Sequence, residues 1–209
     1  MRYLIPLLLA VSACFSVAQA QVPIVGLPCE GCEAVFEGTP ERLSSRARIG
    51  RTGEPGVRML VTGRVIDARG KPAANVVVYA YQTNSAGIYP TSTKSIGRAS
   101  HRHGVLRAWA LTNRQGRYAF DTIRPAAYPG TDLPAHIHMH VIERGRCTYY
   151  IDDIMFKDDP RLTEEGIRKL ALGRGGSGIG RPLLHKGTWY INRDIVLGES
   201  IPGYGGCGS

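Results

Sequence analysis

The run Asn75 to Thr83 (NVVVYAYQT) constrains the fold most, because successive β-branched and aromatic side chains crowd a helix and suit the pleated surface of a strand. Similar short runs recur between turn signals. Val57 to Ile66 alternates as a half-buried strand, and with the turn Asp67 to Pro72 it is predicted to form a hairpin with the Asn75 run. Leu106 to Thr112 and Arg117 to Asp121 flank the turn Asn113 to Gly116 as a second predicted hairpin. His136 to Glu143 and Cys147 to Phe156 flank Arg144-Gly145-Arg146 as a third, and Trp189 to Leu197 supplies a last strand. The helix signal is confined to Thr163 to Leu172. The predicted class is therefore all-β, an antiparallel β-sandwich with one short helix and long loops at Ser85 to Arg102, Ala126 to Pro134 and Gly173 to Gly187. The glycine run Gly173 to Gly180 lacks a Walker pattern and follows a helix, so it is predicted to be a flexible loop rather than a phosphate cradle.

The first twenty residues do not belong to that sandwich. Arg2 precedes an apolar run from Leu4 to Val11, and small residues lead to Ala18-Gln19-Ala20 before Gln21. This pattern predicts a secretory signal peptide over residues 1–20, cleaved after Ala20, since the apolar run is too short to span a bilayer. The alternative is a lipoprotein anchored at Cys14, because Val11 to Cys14 resembles a lipobox. Residues 21–56, rich in Gly, Pro, Glu and Arg, read as an N-terminal arm on the surface of a single domain over 57–209.

An exported chain carrying Cys29, Cys32, Cys147 and Cys207 is expected to hold at least one disulfide. Cys29 and Cys32 have zinc-like spacing, but no second Cys/His pair of matching spacing follows, so a local disulfide is the simpler expectation. The formal charge of +9 comes from 26 Lys and Arg residues that are dispersed along the chain. No basic run interleaved with aromatics appears, so nucleic acid is not an expected partner. The sequence allows a homo-oligomer without specifying one.

Chemistry concentrates at Leu133-Pro134-Ala135-His136-Ile137-His138. In a strand, side chains alternate faces, so His136 and His138 stand on one face about 6.7 Å apart along the chain, a bite for one metal ion. His140 continues the same face as a second-layer or surface residue. Tyr89 and Tyr128 lie in loops, with Pro129 stiffening the second, and phenolate oxygen joined to neutral imidazole suits a hard ferric ion. Tyr79, Tyr81 and Tyr118 fall in strands and are expected to pack; His101 and His103 fall in a polar loop and are expected at the surface, with a place in the pocket wall as the alternative.

These motifs resemble those of the intradiol ring-cleavage dioxygenases, the non-haem ferric family that includes catechol and protocatechuate dioxygenases. Gly63 to Asp67, Gly70 to Pro72, Val76 to Tyr81 and Gln82 to Tyr89 resemble its signature, and Pro134 to His138 its paired-histidine motif, over roughly Val57 to Pro160. The resemblance implies one Fe3+ per chain held by Tyr89 and His136 as equatorial ligands and by Tyr128 and His138 as axial ones. It also implies cleavage of a small aromatic diol with O2 to a cis,cis-muconate-type product, Tyr128 leaving the metal and taking a substrate proton.

Two positions depart from the family. Leu133 stands where an arginine is common, and Asp153 where a glutamine is usual. If both face the substrate, neutral or cationic catechols should be preferred to carboxylated ones. Of the adjacent pair Asp152 and Asp153, at most one should look into the pocket. A different class competes: Gly63 to Pro72 with Thr112 to Phe120 also resembles transthyretin-like β-sandwich modules, exported binding domains that need no Tyr/Tyr/His/His set.

Overall fold

The computed structural model describes residues 22–29, 31–91 and 97–208, so the predicted leader and its cleavage site lie outside the described residues. In chain order the strands are β1 (Ile24–Val25), β2 (Arg46–Arg48), β3 (Arg58–Ile66), β4 (Val76–Gln82), β5 (Arg107–Leu111) and β6 (Arg117–Ile123). They continue as β7 (His136–Glu143), β8 (Cys147–Phe156), β9 (Ile179–Gly180), β10 (Leu183–His185), β11 (Thr188–Asn192) and β12 (Ile195–Val196). One sheet has the order β1-β8-β7-β4-β5 with β9 beside β8; the other runs β10-β11-β3-β6-β2 with β12 beside β3. The result is a β-sandwich whose central pairs are antiparallel, while the strands added at the margins, β1, β2, β9, β11 and β12, pair in parallel.

Of the three predicted hairpins, only β7–β8 forms. β3 pairs with β6, and β4 with β5 and β7, so both other turns carry the chain from one sheet to the other. The turns themselves are as expected: Asp67 Oδ1 accepts from the backbone of Arg69 and Lys71, and Asn113 Oδ1 from Gln115 and Arg117. What sorts the strands is burial pattern. β4 is buried at every position and β5 at four of five, whereas β3 alternates and β6 nearly so. A two-sided apolar strand needs cover on both faces, and an alternating one needs only one covered face.

Val61, Val65, Val78, Ala80, Phe120, Ile137, Met139 and Ile151 meet between the sheets as the main core. A second apolar cluster, Val35, Val77, Tyr79, Tyr81, Trp109 and Ile142, lies on the far side of the first sheet. The N-terminal arm covers it. A 3-10 turn, Cys32–Val35, buries Ala34 and Val35, and their carbonyls accept from Arg107 Nη1 at 3.1 Å and Trp109 Nε1 at 2.7 Å. The arm is thus more than a surface layer, since it also donates β1 and β2 to the two sheets.

The predicted helix is present as α1 (Glu164–Leu170), with Thr163 Oγ1 accepting from Gly166 N at 3.0 Å as its N-cap. The glycine run is not a free loop. Residues 173–178 lie against β8, where a side chain at Gly178 would meet the Asp153 carbonyl oxygen at 1.9 Å, so only glycine permits the approach. Two disulfides, Cys29–Cys32 and Cys147–Cys207, account for the four cysteines beyond the predicted leader.

Candidate metal centre

The far side of the first sheet carries a row of aromatic and imidazole rings. Register places Tyr81 opposite His138 and Tyr79 opposite His140, with His140 in turn opposite Tyr150. His136 and His138 share this face as their spacing predicts, and their Nε2 atoms are 3.1 Å apart. Two loops bring the phenols. Asn84 Oδ1 accepts from Ala86 N and Ile88 N, folding the chain back so that Tyr89 leaves the turn toward the histidines. Gly87, at φ 77°, lets this loop press on the second one, since a side chain there would meet the Ala127 carbonyl oxygen at 2.1 Å. Thr83 Oγ1 and the Asn84 carbonyl tie the same loop to Ala126, two residues before Tyr128.

The four donor atoms converge. Tyr89 Oη is 2.5 Å from Tyr128 Oη and 2.9 Å from His138 Nε2, while Tyr128 Oη is 3.3 Å and 3.2 Å from the Nε2 atoms of His136 and His138. The outer hydrogen bonds fix the tautomers. His136 Nδ1 lies 2.7 Å from the Pro134 carbonyl, which only accepts, and His138 Nδ1 lies 3.2 Å from the Asp153 carboxylate. Both Nδ1 atoms therefore carry protons, and both Nε2 lone pairs point at the same spot. Two lone pairs converging at 3.1 Å call for a shared electrophile, a phenol O–H of Tyr89 or Tyr128 or a cation held by all four donors. The donor set fits such a cation, two oxygens and two nitrogens suiting a hard metal ion.

Ionisation agrees. Burial pushes His136 below the usual imidazole range, reinforced by neighbouring His138, and so keeps it neutral. Burial likewise pushes the Tyr89 and Tyr128 phenols upward, so both hold their protons until a cation compensates the charge. Burial alone would lift the Asp153 carboxyl, but His138 outweighs it and holds the group below the usual carboxylate range. His140, fully buried and next to His103 and His138, is pushed down to about 3.

A cleft of ≈ 360 Å³ opens beside these donors, lined by Pro28, Cys29, Tyr81, Tyr89, Arg102, His103, Tyr128, His138 and Tyr150. That is the small end of ligand pockets, about 300–1,000 Å³, and suits a single aromatic ring. Several lining residues differ from expectation. His103 is buried and accepts or donates with Tyr79 Oη at 2.8 Å, while its ring stacks on Tyr81 at 3.6 Å between centroids. Tyr81 in turn stacks on His138 at 4.4 Å, so it holds a candidate ligand instead of merely packing. Only the exposed His101 of that histidine pair stays at the surface. His140 belongs to the second layer, buried against Tyr79 and Tyr150.

The structure also relocates the two departures. Asp153 sits behind His138, and neither it nor half-buried Leu133 lines the cleft. A β-bulge is responsible: Ile137 pairs with Ile154 and Met139 with Ile151, leaving Asp152 and Asp153 together opposite His138. Asp152 turns away to Arg174 at 2.9 Å, and Asp153 faces the imidazole. The expected bias against carboxylated catechols loses its main support, because among the described residues the cleft wall carries Arg102 and not Asp153.

Fold and converging donors together define a β-sandwich built around a hard-metal donor set. A family model described as Dioxygenase matches residues 35–173, and the chain belongs to the intradiol ring-cleavage dioxygenase family. The protocatechuate 3,4-dioxygenase beta chain of Burkholderia cepacia is 33% identical over 123 residues, covering 56% of this chain and 52% of that one. Hydroxyquinol 1,2-dioxygenase of a Rhizobium species is 30% identical over 128 residues, covering 54% and 42%. The chain thus spans about half the length of the curated relatives it matches. Among solved structures, catechol 1,2-dioxygenase from an Acinetobacter species superposes with a TM-score of 0.59 at 21% identity, covering 77% of this chain and 58% of that one. The dioxygenase domain of a carbohydrate-binding fusion protein from a cellulolytic Streptomyces gives 0.57 at 22% identity, covering 84% and 97%. Membership decides between the two families weighed from the sequence, in favour of the dioxygenases.

Proposed function

We propose that the protein is a non-haem ferric intradiol dioxygenase that opens a catechol-type diol with O2 to a cis,cis-muconate-type acid. Tyr89, Tyr128, His136 and His138 hold one Fe3+ per chain. The observation that carries this reading is the pair of Nε2 lone pairs 3.1 Å apart with two phenols closing on the same point. Bound iron supplies Lewis acidity and a template for diol and O2.

The chain's own residues do the rest. Tyr81, stacked between His103 and His138, fixes the rotation of the His138 ring, and Asp153 fixes its tautomer. Tyr128 borders the cleft, where its phenolate oxygen would be placed to take a diol proton. Pro28 and Tyr150 wall the ring-sized space, and Arg102 lends positive charge for an oxyanion or ring carboxylate. The relatives named for protocatechuate and hydroxyquinol support an aromatic diol as the substrate class. Oxygen uptake by iron-replete protein across catechol, hydroxyquinol and protocatechuate tests the proposal. At least one diol should give a ring-opened diacid carrying both atoms of labelled dioxygen; no uptake with any of them contradicts it.

Export is proposed as well, with cleavage after Ala20, and anchoring at Cys14 as the alternative. The two disulfides support it, since such bonds persist in oxidising compartments. Intact mass of the native protein separates a chain starting at Gln21 from a lipidated one starting at Cys14.

A further inference from the structure

β7 carries one more histidine beyond the iron ligands. His140 is 1% exposed, and among the described residues its Nδ1 has no hydrogen-bond partner. A buried ring nitrogen left unpaired gives up its hydration with nothing in return, and in native proteins such an atom marks strain, a functional role or an ion site. The two sulfurs of Cys29 and Cys32 and a ring nitrogen of His140 lie within 4.8 Å of one another. The arm brings the cysteines there. Gly31, at φ 73°, turns the chain tightly between them, and a side chain at that position would meet His103 Nε2 at 3.2 Å, so the loop tip rests on the His103 ring.

In the structure the two cysteines form a disulfide. That bond accounts for the sulfurs and, among the described residues, provides no partner for His140 Nδ1. Cys-x-x-Cys spacing is also that of zinc ligands, and a third donor from a distant strand completes a three-residue set with one open position. Cys29 lines the same cleft as Tyr89 and His138, so the open position has a route to solvent.

We propose that Cys29, Cys32 and His140 form a second, redox-gated metal site, separate from the Tyr/His centre, that takes one thiophilic divalent cation such as Zn2+ when the disulfide is reduced. The reductant is a thiol or phosphine. With a thiol, two RSH pass two electrons and two protons to the Cys29–Cys32 bond and leave as RSSR, giving two cysteine thiols. The cation then displaces those two protons and binds both thiolates and the neutral imidazole. Tetrahedral zinc geometry puts the two sulfurs about 3.8 Å apart and each sulfur about 3.6 Å from the nitrogen, separations that a short opening of the Gly31 turn supplies.

The proposal does not rest on the iron reading, and Co2+ separates the two sites because thiolate ligation gives a near-ultraviolet charge-transfer band that phenol and imidazole do not. Iron-loaded protein is reduced with a phosphine, freed of excess reductant under anaerobic conditions and titrated with Co2+. The thiolate band should saturate at one cobalt per chain, be absent without reduction, and vanish in Cys29→Ser while the iron colour stays. His140→Phe should weaken cobalt binding at least tenfold. X-ray absorption at the zinc edge of reduced, zinc-loaded wild type, with iron kept in the other site, avoids any variant and should count two sulfurs and at least one imidazole nitrogen. No thiolate band after reduction, a band that survives Cys29→Ser, or a zinc shell without nitrogen would overturn the proposal.

Discussion

The two sheets of the sandwich are made from similar residues and live in different surroundings. In the second sheet β3 buries one face and shows Arg58, Thr62 and Arg64 to solvent, and its partner β6 exposes Arg117. In the first sheet β4 is buried throughout, because the N-terminal arm covers the side that faces away from the core. Polar side chains on the second sheet's outer face are solvated and inexpensive. Those on the first sheet's outer face, Tyr79, Tyr81, His136, His138 and His140, have lost most of their water and must find partners, which is why they are tied to one another, to the loop tyrosines, to Asp153 and, by proposal, to a metal. Burial thus turns an ordinary sheet face into a place where ionisation is shifted and every polar atom must find a partner.

The sharpest way to break this contrast is to put the same charge on each face. Val77→Asp on β4 buries an unpaired carboxylate under the arm and should cost about 4 kcal/mol or more, whereas Thr62→Asp on exposed β3 should stay within about 0.5 kcal/mol. Urea denaturation of both variants measures it, and comparable losses would mean that the arm does not seal the first sheet.

Next in size is the partner of His138. Asp153→Asn keeps the shape and removes the charge that fixes the imidazole tautomer, so iron affinity should fall about 10- to 100-fold in competition with a chelator. Affinity should also depend on pH in a definite direction. The Tyr89 and Tyr128 phenols are raised in the metal-free protein and must lose their protons to bind, while His136 is lowered and already neutral. Binding should therefore release about two protons per iron and weaken steadily as pH falls. A pH-independent affinity, after correction for the chelator's own protonation, would remove the phenols from the ligand set.

The smallest expected effect belongs to Arg102. Its exposed guanidinium is screened, so Arg102→Ala should lower kcat/KM for a carboxylated catechol about fivefold, on the order of 1 kcal/mol, and leave catechol unchanged. Equal losses for both substrates would assign Arg102 to the cleft's shape and not to its charge.

Much of the centre was legible in the sequence because it rests on local periodicity. His136 and His138 share a face by strand alternation alone, and the Asx-type turns at Asp67 and Asn113 follow from their residues. Which sheet each strand joins was not legible from turns, which look alike whether they close a hairpin or cross between sheets. It was written instead in the contrast between β4, apolar at every position but Gln82, and alternating β3, a signal available in the sequence. The positions of Tyr81, His103 and Cys29 depend on the arm folding back over the sheet, and the direction of Asp153 on a bulge that shifts register by one residue. Those are long-range and geometric facts, and a single chain read locally does not carry them.

Iron content and the visible spectrum test the central claim most directly, that the covered face of the first sheet is a ferric centre closed by two tyrosines. Wild-type protein loaded with iron should hold one Fe3+ per chain and absorb visible light through phenolate-to-iron charge transfer. Tyr89→Phe, which deletes one oxygen from a half-buried ring, should lose a large part of that band, and His136→Ala should lose both iron and colour. Iron-replete but colourless wild type, or a Tyr89→Phe spectrum identical to the parent, would contradict the account.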